Sequence, residues 1–333
     1  MDRQSAAIER RIVRAWRQLT GGGSVRDGQR PTLLAVSGGA DSSALALALA
    51  ARPGVGAIGH VVHDLRPPEE AEADRDAVER LGTRLGLPVR VARVRAPQGN
   101  AEAGARRVRY QALADLAQDA GCRYVAAAHQ ADDVLETMLA NLIRGAGPRG
   151  LRGPAPRRTL REGVTLVRPM LHATRADALA VCAAHDWTPV HDATNDDPGT
   201  PDARLRAALR ARVLPVLEEL RPGAAGRAAR GAAAMAQAVA VVERAVDAAW
   251  ERGVRHEGDG LAIDARAFAD LLPAVREGVL RRCVDRLGGA GHDRLSAATL
   301  RSLATWIDGG SGTRLAGGLR FEHGGASVFV SRA

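Results

Sequence analysis

The residues best suited to chemistry begin in the stretch LLAVSGGADSSALALAL, residues 33–49, where an apolar run meets Gly38 and Gly39 and then a helix-like run. Adjacent glycines let the backbone turn tightly, so that successive N–H groups point toward an anion at the positive end of the following helix. An ordinary glycine turn with Asp41 or Ser42 as the helix N-cap is the alternative. The strand-like run before the turn and the helix after it favour a phosphate-binding loop.

This loop carries an acid, Asp41, and lacks a lysine. None of the 333 residues is lysine, so all 47 basic side chains are arginine. The lysine-containing GxxxxGK[ST] phosphate loop, Schiff-base catalysis and lysine general bases are thereby excluded. Because a carboxylate repels phosphate, a positively charged group other than lysine must accompany the loop.

Composition bounds the class of protein. The length and an apolar content of 46% allow two domains with a sizeable core. The net charge of +9 suits a polyanionic partner such as RNA, although a merely basic protein would have the same charge. Aromatic residues make up only 3% of the chain, so any contact with RNA should depend on arginine and phosphate rather than on base stacking.

Cys122, Cys182 and Cys283 are widely spaced and form no CxxC pair, which predicts core cysteines and a reducing, cytoplasmic setting. The N-terminal stretch IERRIVRAWRQL is typical of an amphipathic helix rather than of a signal peptide. No apolar run approaches the roughly 20 residues that a membrane span needs. A soluble protein is therefore expected.

Strand-like and helix-like runs alternate through the first half of the chain. The predicted strands are 32–37, 55–62, 89–96, 123–129 and 165–170, and the predicted helices are 41–52, 69–86, 101–120 and 132–144. This alternation predicts an α/β fold with a doubly wound parallel sheet, in which ligands bind at the carboxyl ends of the strands. Beyond about residue 200, alanine-rich runs predict a smaller, mainly helical domain with a small β element near the C-terminus.

The predicted helix 132–144 begins with carboxylates. Its apolar residues recur at helical spacing and are expected to face the core: Val134, Leu135, Met138, Leu139, Leu142 and Ile143. Asp133, Glu136 and Ala140 then share the other face, and Asp132 and Asp133 lie in the first turn, where the helix dipole favours acids. From the pattern alone, a solvated helix start is favoured over a functional site.

Two sets of motifs carry a resemblance to a known family. The run Ser37-Gly38-Gly39-Ala40-Asp41-Ser42 resembles the PP-loop of the N-type ATP pyrophosphatases, and residues 126–153 are similar to the second motif of the tRNA(Ile)-lysidine synthetases. Three further stretches match that family in order, at 60–67, 102–110 and 192–198. The similarity extends over about residues 30–220. It departs from the family pattern at Val62, where the family has aspartate, and at Gln130, where it has histidine.

The resemblance implies a Rossmann-like PP-loop fold and a set of site residues. For ATP these are Ser37, Gly38, Gly39, Ala40, Asp41, Ser42, Arg106 and Arg109. The implied catalytic residues are Asp41, His129, Asp133 and Glu136, with Asp41 holding Mg²⁺, which supplies positive charge at the loop. Asp133 and Glu136 are implied to bind Mg²⁺ or the ammonium of a lysine substrate. From the residues alone, Arg106 and Arg109 are equally well explained as surface charges.

The arginines assigned to tRNA are Arg144, Arg149, Arg157, Arg158, Arg206 and Arg210. Most belong to residues 144–168, where glycine and proline predict a flexible arginine-rich loop at the rim of the active site. His60 and His63 are not expected to bind metal, since no cysteine or third histidine is near in sequence. Expected domains are an N-terminal helix (1–24), a PP-loop catalytic domain (25–220) and a tRNA-binding C-terminal domain (221–333).

The family resemblance implies ATP-dependent attachment of free L-lysine to the wobble cytidine of tRNA(Ile) with a CAU anticodon, with release of AMP and pyrophosphate. Two other functions compete with it. A tRNA thiolase that uses a cysteine pair or an iron–sulfur cluster needs cysteine spacings that this chain lacks. A non-catalytic nucleotide- or RNA-binding α/β protein would explain the loop and the charge, but not the carboxylates at the second strand end.

Overall fold

The computed structural model describes residues 3–64, 67–95, 101–190, 201–288 and 295–333. The chain divides into two compact units. The first comprises Met1–Arg144 and Leu151–Ala233, and the second comprises Gly145–Gly150 and Ala234–Ala333. The domain boundaries at residues 24 and 220 stay a prediction.

A six-stranded sheet forms the centre of the first unit. Its strands are β1 (Thr32–Ala35), β2 (Val55–His63), β3 (Val89–Val94), β4 (Tyr124–Ala126), β5 (Arg157–Arg161) and β6 (Val164–Val167). Their order is β3-β2-β1-β4-β6-β5, and every neighbouring pair is parallel except β5 with β6. The predicted doubly wound parallel sheet is confirmed. The carboxyl ends of β1, β4 and β6 therefore meet at one edge.

Helices cover the sheet and continue into the second unit. In chain order they are α1 (Arg3–Leu19), α2 (Ala40–Leu49), α3 (Pro68–Leu85), α4 (Ala101–Asp119), α5 (Ala131–Ile143), α6 (Pro148–Leu151), α7 (Arg175–Ala184), α8 (Pro201–Ala208), α9 (Leu214–Leu220), α10 (Ala224–Gly253), α11 (Ala265–Ala269), α12 (Pro273–Leu287) and α13 (Ala297–Gly309). A π-helical turn, Leu209–Val213, joins α8 to α9. None of the described helices combines the length and apolar character required to cross a membrane.

Consecutive residues of β1 supply the two faces of the sheet, because side chains alternate along a strand. Leu34 packs into a core with Leu45 of α2 and Val78 of α3. Leu33 packs on the other side with Leu113 of α4. Helix α2 is buried almost all round, as its alternation of alanine and leucine requires. It is thereby fixed directly behind residues 37–39, which we call the glycine loop.

The second unit contains more β structure than the sequence predicts. Its antiparallel sheet has the order β7-β8-β11-β10-β9 and comprises β7 (Val254–Glu257), β8 (Gly260–Asp264), β9 (Gly312–Ala316), β10 (Leu319–His323) and β11 (Ser327–Arg332). The outer strands β7 and β9 are mostly exposed and polar, so they lack the apolar alternation that reveals a strand. The predicted smaller C-terminal domain, which combines helices with a β element, is confirmed.

Two local expectations were wrong. Residues 157–161, expected in a flexible loop, form β5, which pairs with β6 at the edge of the sheet, where charged side chains are tolerated. On α5, Leu142 and Ile143 were expected in the core but are 59% and 63% exposed, whereas Glu136 is buried. The three cysteines are buried and free, as expected of core residues.

Candidate active site

The glycine loop follows β1 at the carboxyl edge of the sheet. Gly38 has a φ of 94°, a conformation that L side chains rarely adopt. Ser42 Oγ accepts a hydrogen bond from the Ser37 N–H at 3.1 Å and donates one to the Gly39 carbonyl at 3.0 Å. Ser42 thus braces the loop from within. Because Gly39 is the N-cap and α2 begins at Ala40, Asp41 lies inside the first turn and is not the cap.

Asp41 has two unlike carboxylate oxygens. Oδ2 lies 3.4 Å from Nη1 of Arg175, whereas Oδ1 is buried and has no hydrogen-bond partner among the described residues. Burial raises the pKa of Asp41 to about 7; the charge of Arg175 opposes this shift, and the nearby Asp133 adds to it. A buried oxygen without a partner is a ligand that Mg²⁺ would satisfy.

The described residues contain no group of three or more His, Cys, Asp or Glu side chains arranged to hold a metal. Mg²⁺ does not require such a group, because it is commonly bound by one or two carboxylates together with substrate phosphates and waters. The buried oxygen Oδ1 of Asp41, which has no hydrogen-bond partner among the described residues, fits this ion.

Helix α5 begins at the end of β4, beside the loop. Asp133 Oδ2 accepts a hydrogen bond from the Gln130 N–H at 3.0 Å, and burial raises the Asp133 pKa. Asp132 Oδ2 accepts one from the backbone N–H of Arg175, also at 3.0 Å. Since the Arg175 side chain reaches Asp41, this residue links the starts of α2 and α5. Arg175 was not identified from the sequence.

Glu136 lies one turn further along α5 and is only 3% exposed. Arg210 Nε donates to its Oε2 at 2.5 Å, and Arg206 Nε lies 3.6 Å from Oε1. Burial raises the Glu136 pKa against the opposing effect of Arg210. Helix α8, through Arg206, and the π-helical turn, through Arg210, therefore place two cations of this chain on the carboxylate. The tRNA contacts assigned to Arg206 and Arg210 stay predictions.

His129 lies three residues beyond the end of β4 and is surrounded by polar side chains. Arg168 Nε donates to its Nδ1 at 3.2 Å, and Tyr110 Oη and Arg106 Nη2 lie 3.3 Å and 3.2 Å from its Nε2. Because Nδ1 accepts, Nε2 carries the proton of the neutral ring and donates to Tyr110 Oη, which also accepts from Arg106 Nη2. Arg106 then contacts Nε2 without a hydrogen bond to it. Burial, followed by the charge of Arg168, lowers the His129 pKa well below its usual range. The ring is therefore neutral at physiological pH.

Four guanidinium groups converge on Tyr110, which is 4% exposed. We call them the arginine cluster; its members are Arg106, Arg109, Arg158 and Arg168. The guanidinium carbons of the first three lie 5.3, 5.6 and 4.7 Å from the centre of the tyrosine ring. Burial lowers the pKa of both Arg109 and Arg168. So much positive charge beside a neutral histidine suits an anionic ligand.

Sequence reasoning placed Arg106 and Arg109 with ATP but missed Tyr110 and Arg168. The motif EAGARRVRY ends in Tyr110, and an aromatic residue beside three arginines was an available signal for a cation–π cluster. Nothing near Arg168 in sequence marks it as a partner of His129.

The remaining arginines assigned to tRNA are dispersed. Arg144 Nη1 donates to Asn141 at 3.2 Å, and Arg149 Nε lies 3.0 Å from Glu243. Arg157 is exposed at the start of β5. Arg158, which is also exposed, belongs to the arginine cluster and so lies at the site itself.

The other motifs are only partly described. His60 is buried and its Nδ1 lies 2.8 Å from the Val36 carbonyl, so it supports the end of β1. Val62 is buried in β2. Residues 65–66 and the stretch 192–198 lie outside the described residues.

This chain is similar to known PP-loop proteins. A PP-loop domain family matches residues 6–217. The tRNA(Ile)-lysidine synthase of Salinispora arenicola strain CNS-205 is 39% identical over 336 residues, covering 98% of this chain and 96% of that protein. The tRNA(Ile)-lysidine synthase of Methylobacterium nodulans is 38% identical, covering 90% and 87%.

Among solved structures, the U34-tRNA thiolase NcsA from Methanococcus maripaludis, described with its [4Fe-4S] cluster, has a TM-score of 0.53 at 15% identity, covering 68% of this chain and 78% of that one. At this identity the likeness concerns the fold alone.

The parallel sheet, the SGGxDS loop and the matched domain define a PP-loop enzyme that uses ATP. Within that class, the chain belongs to the tRNA(Ile)-lysidine synthase family. The family predicted from the motifs is confirmed.

Proposed function

We propose that this enzyme joins free L-lysine to C2 of the wobble cytidine of tRNA(Ile) with a CAU anticodon, releasing AMP and pyrophosphate. The modified base, lysidine, then pairs with A instead of G. The single observation that carries the proposal is the meeting of the loop acid Asp41, the carboxylates of α5 and the arginine cluster at one edge of the sheet, in a chain of this family. We further propose that the enzyme acts in the cytoplasm, as its free cysteines suggest.

In the first step the cytosine C2 oxygen attacks the α-phosphorus of ATP. A bond from that oxygen to phosphorus forms, and the bond to the pyrophosphate oxygen breaks. Charge develops on the departing pyrophosphate, and fixed cations that face it lower the barrier. We assign Arg106, Arg109 and Arg168 of the arginine cluster to this role, and Arg158 to the tRNA. Mg²⁺, held by Asp41 through Oδ1, would neutralise phosphate charge at the loop.

His129 is proposed to act as a positioning residue at this step. A neutral ring that accepts from Arg168 and donates to Tyr110 has no spare proton to give near neutral pH. Its two hydrogen bonds instead fix the directions of Arg168 and Tyr110. Precise placement of the cluster matters because misplaced groups lose much of their effect on the transition state.

In the second step the ε-amine of lysine attacks C2 of the adenylated base and expels AMP. The amine must lose its proton before it attacks. Asp133, with a raised pKa, is the carboxylate that we propose to orient the ammonium and accept that proton, since Glu136 is already paired with Arg210.

The experiment incubates the purified protein with ATP, isotope-labelled lysine and tRNA(Ile) carrying CAU, and then analyses the tRNA nucleosides by mass spectrometry. The expected product carries the mass of labelled lysine on cytidine, and AMP and pyrophosphate accumulate only when tRNA is present. Without lysine, adenylated cytidine should accumulate instead. Methionine tRNA with the same anticodon is the matched control and should stay unmodified.

The competing functions give other results. Binding of tRNA and ATP without AMP release would identify a non-catalytic protein. A gain of sulfur mass on the tRNA in the presence of a sulfide donor would identify a thiolase. Either result would overturn the proposal.

A further inference from the structure

A groove of about 700 Å³ runs beside α1 in the first unit. Its described lining includes four arginines, namely Arg10, Arg14, Arg17 and Arg52, and one acid, Glu9. Ala48, near the end of α2, also contributes. We call this feature the α1 groove.

The α1 groove is separate from the active site. Helix α2 starts at the glycine loop, and its ten residues extend for about 15 Å before the chain reaches Arg52. The groove therefore lies at the amino edge of the sheet, opposite the edge that holds Asp41. A molecule bound to the glycine loop would reach the α1 groove only if it were long.

The charge of the groove is only partly compensated, because Asp27 lies beside Arg17 and also feels the charge of Arg52. Glu9 is engaged by His185, whose Nε2 lies 2.9 Å from Oε1. Arg17 is paired with Asp27 through two hydrogen bonds of 2.9 and 2.6 Å. The Nε of Arg52 is buried without a hydrogen-bond partner among the described residues. A partly buried guanidinium nitrogen in that state is stabilised by a bound acceptor.

The arrangement of the arginines identifies the kind of anion. Arg10 and Arg14 are four residues apart on α1 and Arg17 is three further on, so they follow one another along one face of the helix, about 5–6 Å apart at Cβ. All three are exposed. The arginine cluster in the active site converges on one point, whereas this row runs along a line. A row of guanidinium groups suits a chain of phosphates better than a single small anion.

We infer that the α1 groove is a second phosphate-binding site, which takes backbone phosphates of the tRNA outside the nucleotide that reacts. This rests on the proposed function in that the polyanion is the tRNA substrate. Arg10 and Arg14 bind successive phosphates, and Arg52 binds from the floor of the groove.

The test compares tRNA binding by the full chain and by an Arg10→Gln/Arg14→Gln variant over a range of salt concentrations. Glutamine preserves helix propensity, and thermal unfolding checks that the fold is intact. Each phosphate that the variant no longer binds should reduce the slope of log affinity against log salt by roughly 0.7 to 0.9. Adding Arg52→Gln should reduce it again. An Arg80→Gln/Arg90→Gln variant removes the same charge from exposed positions on α3 and β3 and should leave the slope unchanged.

Two results would overturn the inference. One is an identical slope for the Arg10→Gln/Arg14→Gln variant and the control. The other is an unchanged tRNA slope with a weakened thermal stabilisation by inorganic phosphate, which would make the groove a small-anion site. Lysidine formation by the unaltered protein is measured in parallel, so that failure of the proposed function is recognised separately.

Discussion

Arg210 already occupies the carboxylate of Glu136, with its Nε 2.5 Å from Oε2 in a setting where Glu136 is 3% exposed. Burying a carboxylate without a cation costs free energy, and here Arg210 of the same chain supplies that cation. Any positively charged substrate that uses Glu136 must compete with Arg210 or share the carboxylate with it. Glu136 is therefore balanced in charge before a substrate arrives.

The pair predicts unequal effects of single and double substitutions. Arg210→Gln should destabilise the fold by about 1–3 kcal/mol, because it leaves the buried carboxylate of Glu136 without its hydrogen-bonded cation. Glu136→Gln should cost less, because the Arg210 side chain is 44% exposed and can be hydrated. Glu136→Gln/Arg210→Gln should cost less than the sum of its two single variants, as coupled partners do. Denaturant unfolding of the unaltered protein and the three variants measures this, and strict additivity would show that the pair is not coupled.

Asp41→Asn is expected to abolish turnover while tRNA binding and the fold stay nearly intact. The amide keeps the shape of the side chain but removes the anionic oxygen proposed to hold Mg²⁺. Mg²⁺-dependent formation of AMP is the measurement, with tRNA binding as the control. Full ATP consumption by the variant would show that the metal is held elsewhere.

The raised pKa of Asp41, about 7, predicts a pH dependence of stability in the protein without ligands. The fold favours the protonated carboxyl, so this contribution is fully present below the ordinary pKa of the side chain and is lost as pH rises through about 7. Each unit of pKa difference corresponds to about 1.4 kcal/mol. The unfolding free energy of the natural chain minus that of Asp41→Asn should therefore fall between about pH 4 and pH 7. A flat difference would contradict the buried, protonated state.

Asp132 and Asp133 are neighbours in sequence but should differ in effect. Asp133→Asn is expected to lower activity by orders of magnitude, because its carboxylate is proposed to receive the proton of lysine. Asp132→Asn keeps an acceptor for the backbone N–H of Arg175 and should cost about 0.3–1 kcal/mol of stability with little loss of activity. Steady-state kinetics and thermal unfolding of both variants separate the roles, and equally small effects would make α5 an ordinary solvated helix start.

Arg157 and Arg158 are expected to contribute to tRNA binding from β5. Replacing both with glutamine should lower tRNA affinity and reduce its salt slope by roughly 0.7 to 0.9 for each phosphate that is no longer bound. Arg161→Gln is the matched control on the same strand, because Arg161 is already paired with Asp115. An unaltered slope in the double variant would indicate that the tRNA phosphates are held elsewhere.

Much of the first unit could be predicted because its signals are local. Buried parallel strands such as β1 and β2 are continuous apolar runs, and Gly38 marks a turn that only a flexible residue makes easily. Edge strands such as β5 carry arginines instead and have no such signature. Helical periodicity also identified an apolar face of α5, but it could not show that the helix leaves the core before Leu142.

The least predictable part of the site is made of interactions between residues distant in sequence. Arg175 lies 134 positions from Asp41, and Arg168 lies 39 from His129. Neither arginine has a neighbour that distinguishes it from the many others in this chain. Only the order of the strands, which places the ends of β1, β4 and β6 together, brings these partners into contact.

The position of β5 has a consequence for self-association. Its outer side is an edge of the six-stranded sheet, and an uncovered edge exposes N–H and C=O groups that can pair with another copy of the chain. Arg157 and Arg158, both exposed, place like charges where a second β5 would have to align, so they oppose edge-to-edge aggregation. Variants that neutralise this strand should scatter more light on concentration, and salt should enhance the effect by screening the charge that remains.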